Sequence, residues 1–156
     1  MRTHYNILWY CMLCILLCNC SHTKKTLFAV NEADSVFLIV GSYSKAQDEG
    51  IKVFSFNQQT GGFTYRNGCS GIANPSFLCA SKDGGRIYAV SEVGGPDAAA
   101  HSLTFRADDA SLTWTGSSPT HGSAPCHIAL SPSENFLYTA NYMGGSISEF
   151  PLTAEG

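Results

Sequence analysis

The chain has 156 residues and a net charge of -3 at neutral pH, and it is 44% apolar with 13% charged residues. That is the length of one domain and the composition of a folded protein. The nine Lys and Arg residues are scattered, which argues against the basic surface that nucleic-acid binding requires. Fifteen glycines, with many aromatic and β-branched residues, favour β-structure.

Residues 1–20 predict an export signal, because ILWYCMLCILL is an uncharged apolar run that is too short to span a membrane. Leu17 lies three residues before Cys20, as in lipoprotein signals, although Asn19 replaces the small residue that usually precedes the acylated cysteine. We expect a lipid on Cys20 to tether the protein in the cell envelope, lipid-anchored or periplasmic. The alternatives are an ordinary signal peptide, an uncleaved anchor, or a cytoplasmic protein if the segment is not a signal.

The cysteines argue against a disulfide framework and against a zinc site. Four of the seven lie in the signal segment, and Cys69, Cys79 and Cys126 have no paired spacing. We interpret these three as buried, apolar-like side chains. Neither a metal nor a cofactor is expected.

After a linker and first strand region at residues 21–35, the sequence repeats with a period of about fifty residues. PSFLCASKDGGRIYAVSEVGG at 75–95 aligns without a gap with PCHIALSPSENFLYTANYMGG at 125–145. FLIVGSYS at 37–44 aligns in the same way with IYAVSEVG at 87–94. The repeat therefore has at least three copies of its first half.

Each repeat divides into four short strand-like segments with turns between them. Apolar runs such as SFLCAS and HIALS end in the polar turns KDGG and PSEN, and IYAV and LYTA follow them. In the second half, residues 50–63 correspond to 101–114, with Phe56 aligned on Phe105, and a third copy begins at Ser146. GGPDAAAH at 94–101 is interpreted as a flexible loop. Four strands per period, without helical spacing after residue 20, predict propeller blades that bury their faces against one another.

We therefore predict an all-β protein in which residues 36–156 form a partial β-propeller. The segments provide about two and a half blades of four antiparallel strands, whereas a closed propeller has about 4 to 8 blades. An uncovered sheet edge also promotes aggregation. We expect the chain to be the N-terminal part of a longer protein and to be inactive by itself.

Four stretches resemble the lactonase-type seven-bladed propellers, which include bacterial 6-phosphogluconolactonases and fungal carboxymuconate-lactonising enzymes: VGSYS, GIKVFSFNQQTGGF, NPSFLCASKDGGRIYAVSE and APCHIALSPSENFLYTANYMGGSISEFPL. The resemblance covers residues 36–156. It implies seven blades and hydrolysis of 6-phosphoglucono-1,5-lactone to 6-phosphogluconate without a metal. It also implies a small sugar lactone as the binding partner and a monomeric full-length protein. No stretch matches the family's catalytic motifs, so the catalytic residues are expected beyond residue 156.

Several residues are candidates for a channel at the ends of the strands. His127 stands where the preceding repeat has Phe77, so the fold does not require a histidine there. It could orient water or a substrate hydroxyl, and the alternative is that it caps a strand. Glu92 and Tyr142 occupy equivalent strand ends, with Asn141 beside Tyr142. Glu92 could act as a general base or only hydrogen-bond within its loop, and the other two suit turns and packing.

In the first blade, Ser42 and Tyr43 hold the corresponding place. Opening a lactone needs a base for the attacking water and donors for the developing oxyanion. Arg66, Arg86 and Arg106 lie at turns or strand edges and are interpreted as solvated, with a phosphate clamp as the alternative. The absence of GxSxG, HExxH and nucleotide-binding motifs disfavours serine hydrolases, zinc proteases and nucleotide-binding enzymes.

An exported protein would not meet a phosphorylated cytoplasmic sugar. Two alternatives to a 6-phosphogluconolactonase therefore stay open. One is a non-catalytic, envelope-anchored propeller that binds carbohydrate or protein, and the other is a lactonising cycloisomerase.

Overall fold

The computed structural model of the chain describes residues 35–153. The predicted signal segment at 1–20, its Cys20, and residues 21–34 of the predicted linker lie outside the described residues. Within 35–153 the chain forms strands and one 3-10 turn, and none of the structure in this range is a helix that could cross a membrane.

Ten strands form three antiparallel sheets, which confirms the all-β prediction. The first sheet has the order β1-β2-β3, the second β4-β5-β6-β7 and the third β8-β9-β10, and we call them blades 1, 2 and 3. The strands are β1 Ser35–Gly41, β2 Ile51–Asn57, β3 Phe63–Cys69, β4 Leu78–Ala80, β5 Arg86–Ser91, β6 Ala99–Arg106, β7 Ser111–Pro119, β8 Pro125–Leu130, β9 Phe136–Asn141 and β10 Ser146–Pro151.

Blade 2 shows the complete four-stranded unit that the repeat predicts. Its first strand, β4, is short and pairs with β5, and the chain then continues through β6 to β7 by successive antiparallel hairpins. In blade 3, β8 and β9 repeat β4 and β5. In blade 1, β1 corresponds to β5, so β1 is the edge strand of the described part of that sheet.

The blades pack face to face through two separate apolar clusters. Between blades 1 and 2 the buried residues are Ile51, Ile72, Ile87, Ala89 and Leu103. Between blades 2 and 3 they are Tyr88, Val90, Ala100, Ile128 and Leu137. Successive residues of β5 thus enter opposite clusters, as the period of two of a strand requires. Burying a large aliphatic side chain contributes about 1.5–3 kcal/mol, so each blade depends on its neighbours for its core.

Two bulges occur at equivalent places in blades 1 and 2. The pairing of β2 with β3 shifts after Val53 and leaves Arg66 unpaired. The pairing of β6 with β7 shifts after Ser102 and leaves Thr115 unpaired, and the Thr115 hydroxyl donates to the Ser102 carbonyl at 2.9 Å. A bulge bends and twists its strand, so the last strand of each blade deviates at the same point.

One segment differs from the sequence prediction. GGPDAAAH, interpreted as a flexible loop, contains a 3-10 turn at Gly95–Asp97, and β6 already begins at Ala99. Ala99 and Ala100 are buried, and His101 lies within the strand. Alanines carry no β-propensity signal, but their small side chains fit between packed sheets, which is why the pattern missed this strand start.

Candidate functional site

The strands of the three blades bring a group of loops to one end of the sheets, which we call the mouth. β1, β5 and β9 end there, and the segments that lead into β4 and β8 lie beside them. Backbone hydrogen bonds join the two sets: the Glu92 N–H donates to the Asn74 carbonyl at 3.1 Å, and the Tyr142 N–H donates to the Ala124 carbonyl at 3.0 Å. The sequence candidates His127, Glu92 and Tyr142 all belong to this end.

Glu92 is held between blades 1 and 2 by two hydroxyl groups. Its Oε2 accepts a hydrogen bond from the Tyr43 hydroxyl at 2.8 Å and another from the Ser76 hydroxyl. Because the phenol donates to a carboxylate, the pKa of Tyr43 is raised above its usual value. Tyr43 is 70% exposed, so this bond lies open to solvent at the mouth.

Asn74 fixes the backbone around this carboxylate. Its φ of 46° is left-handed, a conformation that Asn adopts more readily than most residues. Its Nδ2 donates to the Glu92 carbonyl at 3.2 Å, and its Oδ1 accepts from the Ser44 N–H at 3.2 Å. One side chain therefore connects the mouth loops of blades 1 and 2. Sequence reasoning singled out neither Asn74 nor Ser76, although both stand in the polar NPS stretch before an inner strand.

His127 lies where the first strands of blades 2 and 3 approach each other. Its imidazole is 4.4 Å from the Phe77 ring, centroid to centroid, with the ring planes tilted by 42°. The repeat aligned these two residues, and the fold places equivalent positions of successive blades in contact. The pairing of β8 with β9 shifts at this point, between Pro125 and His127. The shift leaves Cys126 without a partner in β9, and His127, the next residue, is exposed.

Asn141 faces inward, away from solvent. It is 2% exposed, and its Nδ2 donates to the Ser148 hydroxyl at 2.9 Å and to the Ser146 hydroxyl at 3.2 Å. A Cβ at Gly122 would lie 2.3 Å from the Asn141 amide, so only glycine fits beside it. Tyr142, the next residue, is 76% exposed. The structure thus separates two candidates that are adjacent in sequence, with a packed amide at Asn141 and an open aromatic ring at Tyr142.

The three arginines considered for a phosphate clamp do not converge on the mouth. Arg86 begins β5 and Arg106 ends β6, both at the opposite end of blade 2. Arg106 forms an exposed ion pair with Asp108 at 3.4 Å. Arg66 occupies the bulge of β3, the last strand of blade 1.

Neither the thiols nor the carboxylates of the described residues form a metal site. Among residues 35–153, no three His, Cys, Asp or Glu side chains are grouped closely enough to hold an ion. Cys69, Cys79 and Cys126 are unpaired. Burial raises the pKa of Cys79 to about 11 and also raises that of Cys69, so both thiols stay protonated near neutral pH and are poor nucleophiles and ligands.

Comparison with known proteins gives consistent results for sequence and structure. The sequence model of a family described as "Lactonase, 7-bladed beta-propeller" matches residues 37–156. A 6-phosphogluconolactonase from Bacillus subtilis is 25% identical over 117 residues, which cover 75% of this chain and 33% of that protein. The chain thus spans about a third of the length of this relative.

Two solved structures extend the comparison. A candidate 6-phosphogluconolactonase from Bacteroides uniformis is 37% identical, with a TM-score of 0.74, and the match covers 79% of this chain and 35% of that one. A periplasmic gluconolactonase from Pseudomonas aeruginosa is 26% identical, with a TM-score of 0.70, and the match covers 78% of this chain and 36% of that one.

Proposed function

Because the chain belongs to the lactonase family of seven-bladed β-propellers, we propose that its protein hydrolyses a sugar lactone at the mouth of the blades. The names of its relatives make 6-phosphoglucono-1,5-lactone the first substrate to consider, with 6-phosphogluconate as the product. The observation that carries the proposal is the position of His127, an exposed imidazole on the Phe77 ring at the mouth, in a chain that matches this family.

In the proposed reaction, His127 transfers a proton. Water attacks the lactone carbonyl carbon, a new C–O bond forms, and the ring C–O bond breaks. An imidazole can accept a proton from the attacking water and deliver it to the ring oxygen, which leaves as a hydroxyl group. The product acid then loses its remaining proton to solvent. Glu92, with Tyr43 and Ser76 already bonded to it, is assigned the positioning of the mouth loops of blades 1 and 2.

Recognition of a phosphate is assigned to other blades of the seven-bladed architecture. Arg66, Arg86 and Arg106 lie away from the mouth, so the described residues offer it no guanidinium. An unphosphorylated gluconolactone would need no such clamp. It would also suit the envelope location that the predicted signal at residues 1–20 and its Cys20 imply, and a relative in Pseudomonas aeruginosa is a periplasmic gluconolactonase.

To test the proposal, the rates at which the full-length protein hydrolyses the two lactones are compared. Acid release above the spontaneous rate is followed for 6-phosphoglucono-1,5-lactone and for glucono-1,5-lactone. His127→Ala should lower kcat/KM by about 100-fold or more, since a general acid–base contributes on that scale. His121→Asn is the matched control, because His121 is an exposed loop histidine with a φ of 53°, which Asn also adopts.

Two results would count against the proposal. If the wild type accelerates hydrolysis of neither lactone, the proposed activity is wrong. If His127→Ala and His121→Asn both retain full activity, the activity stands but His127 has no part in it.

A binding propeller is the second candidate, and the exposed side chains at the mouth favour it. Tyr43, Tyr142 and Met143 are each at least 70% exposed there. Exposed aromatic rings supply large, rigid contact area to a ligand. Tight binding of an intact sugar lactone without turnover would identify this function.

A further inference from the structure

A groove between blades 1 and 2 borders the mouth loops, because Ser91 and Val93, the residues on either side of Glu92, line it. Tyr43, Glu92 and His127 themselves are not among its lining residues. It encloses about 550 Å³. Its walls come from the blade 1 loops and from β5, β6 and β7 with the turn before β6, and they include Ala73, Val93, Asp97, His101, Trp114 and Ser117.

His101 is the unusual residue of this groove. It is only 8% exposed, and neither Nδ1 nor Nε2 has a hydrogen-bond partner among the described residues. It shares β6 with Leu103, two residues on, which packs towards blade 1. Leaving buried polar atoms unpaired costs free energy, which a ligand hydroxyl group can recover by supplying the missing bonds. Both nitrogens are closed to solvent, so the imidazole must turn towards the groove to form such a bond.

Trp114 provides a flat apolar surface beside this imidazole. Its ring centroid is 6.1 Å from that of His101, and the side chain is 50% exposed. Val93, Pro96 and Pro119 add apolar surface to the same groove. A half-exposed Trp next to an unpartnered polar group is an arrangement typical of small-molecule sites, in which apolar walls carry a few polar anchors.

The charges of the groove select a neutral ligand. No Lys or Arg lines it, and the Asp97 carboxylate does, so phosphates and sugar acids are disfavoured. Burial lowers the pKa of His101 to about 4, which leaves the imidazole neutral at physiological pH. A neutral imidazole has one donor and one acceptor nitrogen, and a hydroxyl group can satisfy either.

We propose that this groove binds a neutral sugar residue, with one face of the pyranose ring on Trp114 and a hydroxyl group on His101. The site takes a non-acidic saccharide, whereas the mouth is assigned a lactone. It does not depend on the proposed hydrolysis, because none of its lining residues is assigned a role there.

The test is isothermal titration of the full-length protein with a panel of neutral saccharides: cellobiose, maltose, lactose and mannobiose. Binding is expected in the millimolar range, about the affinity of a single small contact surface. Trp114→Ala and His101→Phe should each weaken it about tenfold or more, and Trp114→Phe, which keeps a ring, should retain most of it. Glucuronic acid should bind more weakly than the neutral sugars.

Lactone hydrolysis is measured on the same variants. This distinguishes a failure of the proposed saccharide binding in the groove from a failure of the proposed hydrolysis at the mouth. Trp114→Ala should leave hydrolysis unchanged. The groove proposal is overturned if no neutral saccharide binds the wild type, or if those that bind do so equally well to Trp114→Ala. Circular dichroism of each variant shows whether it is folded, and His101→Phe, which keeps a ring in the cavity, serves where Trp114→Ala does not fold.

Discussion

His101 ties the stability of the blades to pH. Its pKa of about 4 lies below the value near 6.5 of an unfolded histidine, because burial penalises the charged form. Above about pH 7.5 the residue is neutral in both states and adds no pH dependence. As the pH falls towards 4, the unfolded chain binds a proton that the folded chain does not, so the free energy of unfolding decreases.

We predict a loss on the order of 3 kcal/mol from this residue between pH 6.5 and pH 4. Urea unfolding at a series of pH values measures it, and His101→Phe should flatten the curve in that window. Equal slopes for wild type and His101→Phe would show that His101 titrates normally in the folded protein.

Gly41 and Gly122 stand where a neighbouring residue leaves no room for a side chain. A Cβ at Gly41 would lie 2.0 Å from the Pro75 carbonyl oxygen, and one at Gly122 would strike Asn141. Both glycines therefore permit close packing at the mouth, in one case between blades 1 and 2 and in the other within blade 3. The sequence shows where the glycines are, but only the structure shows which neighbouring residue leaves no room for a side chain.

The turn from β9 to β10 depends on a single buried amide. Asn141 bonds the hydroxyl groups of Ser146 and Ser148, and the Ser148 hydroxyl donates onward to the Thr120 carbonyl. We predict that Asn141→Ala lowers the free energy of unfolding by about 1–3 kcal/mol, because it removes these bonds and the acceptor at 3.4 Å of the buried Thr139 hydroxyl. Thermal or urea unfolding of the full-length protein measures the change.

Ser146→Ala is the matched control for that change. It removes only the longer of the two bonds, at an exposed position, and should cost less than about 1 kcal/mol. An Asn141→Ala protein as stable as Ser146→Ala would contradict the structural role of the amide.

The strands with a regular apolar pattern were predictable from the sequence, and the irregular ones were not. β5 and β9 follow from the aligned apolar runs IYAV and LYTA, and the four-strand unit follows from the repeat. The start of β6 at Ala99 was not predictable, because alanines carry no strand signal. The bulges at Arg66 and Thr115 also left no pattern, since a bulge depends on the pairing of two strands and not on either one alone.

The candidate site was predictable in part for the same reason. The repeat placed His127 and Phe77 at equivalent positions, but their contact depends on how far apart neighbouring blades lie. Glu92 was recognised as a strand end, whereas its bonds to Tyr43 and Ser76 join residues that are far apart in the sequence. His101 was assigned to a loop, so nothing in the sequence indicated that it is buried.

Because the two apolar clusters are separate, substitutions in them should lower the free energy of unfolding independently. Ile51 belongs to the cluster between blades 1 and 2, and Ile128 to the cluster between blades 2 and 3. We predict that Ile51→Val and Ile128→Val each cost about 0.5–1.5 kcal/mol. Because the clusters share no residue, the double variant should lose the sum of the two within about 0.5 kcal/mol.

These four proteins form a double-mutant cycle. Denaturant unfolding of the wild type, both single variants and the double variant measures the free energies that the cycle needs. A coupling well above 1 kcal/mol would mean that the two interfaces do not form independently, contrary to nearest-neighbour packing of repeats.

The paired bulges have a consequence for how blades can change in length. Removing Arg66 would still leave Asn67 opposite Val53 and Tyr65 opposite Phe54, and removing Thr115 would likewise keep Gly116 and Trp114 on their present partners. A deletion at a paired position of β3 or β7 would move the later side chains of that strand to the opposite face of the sheet. Within the strands β3 and β7, therefore, Arg66 and Thr115 are the positions at which we expect the loss of one residue to be tolerated.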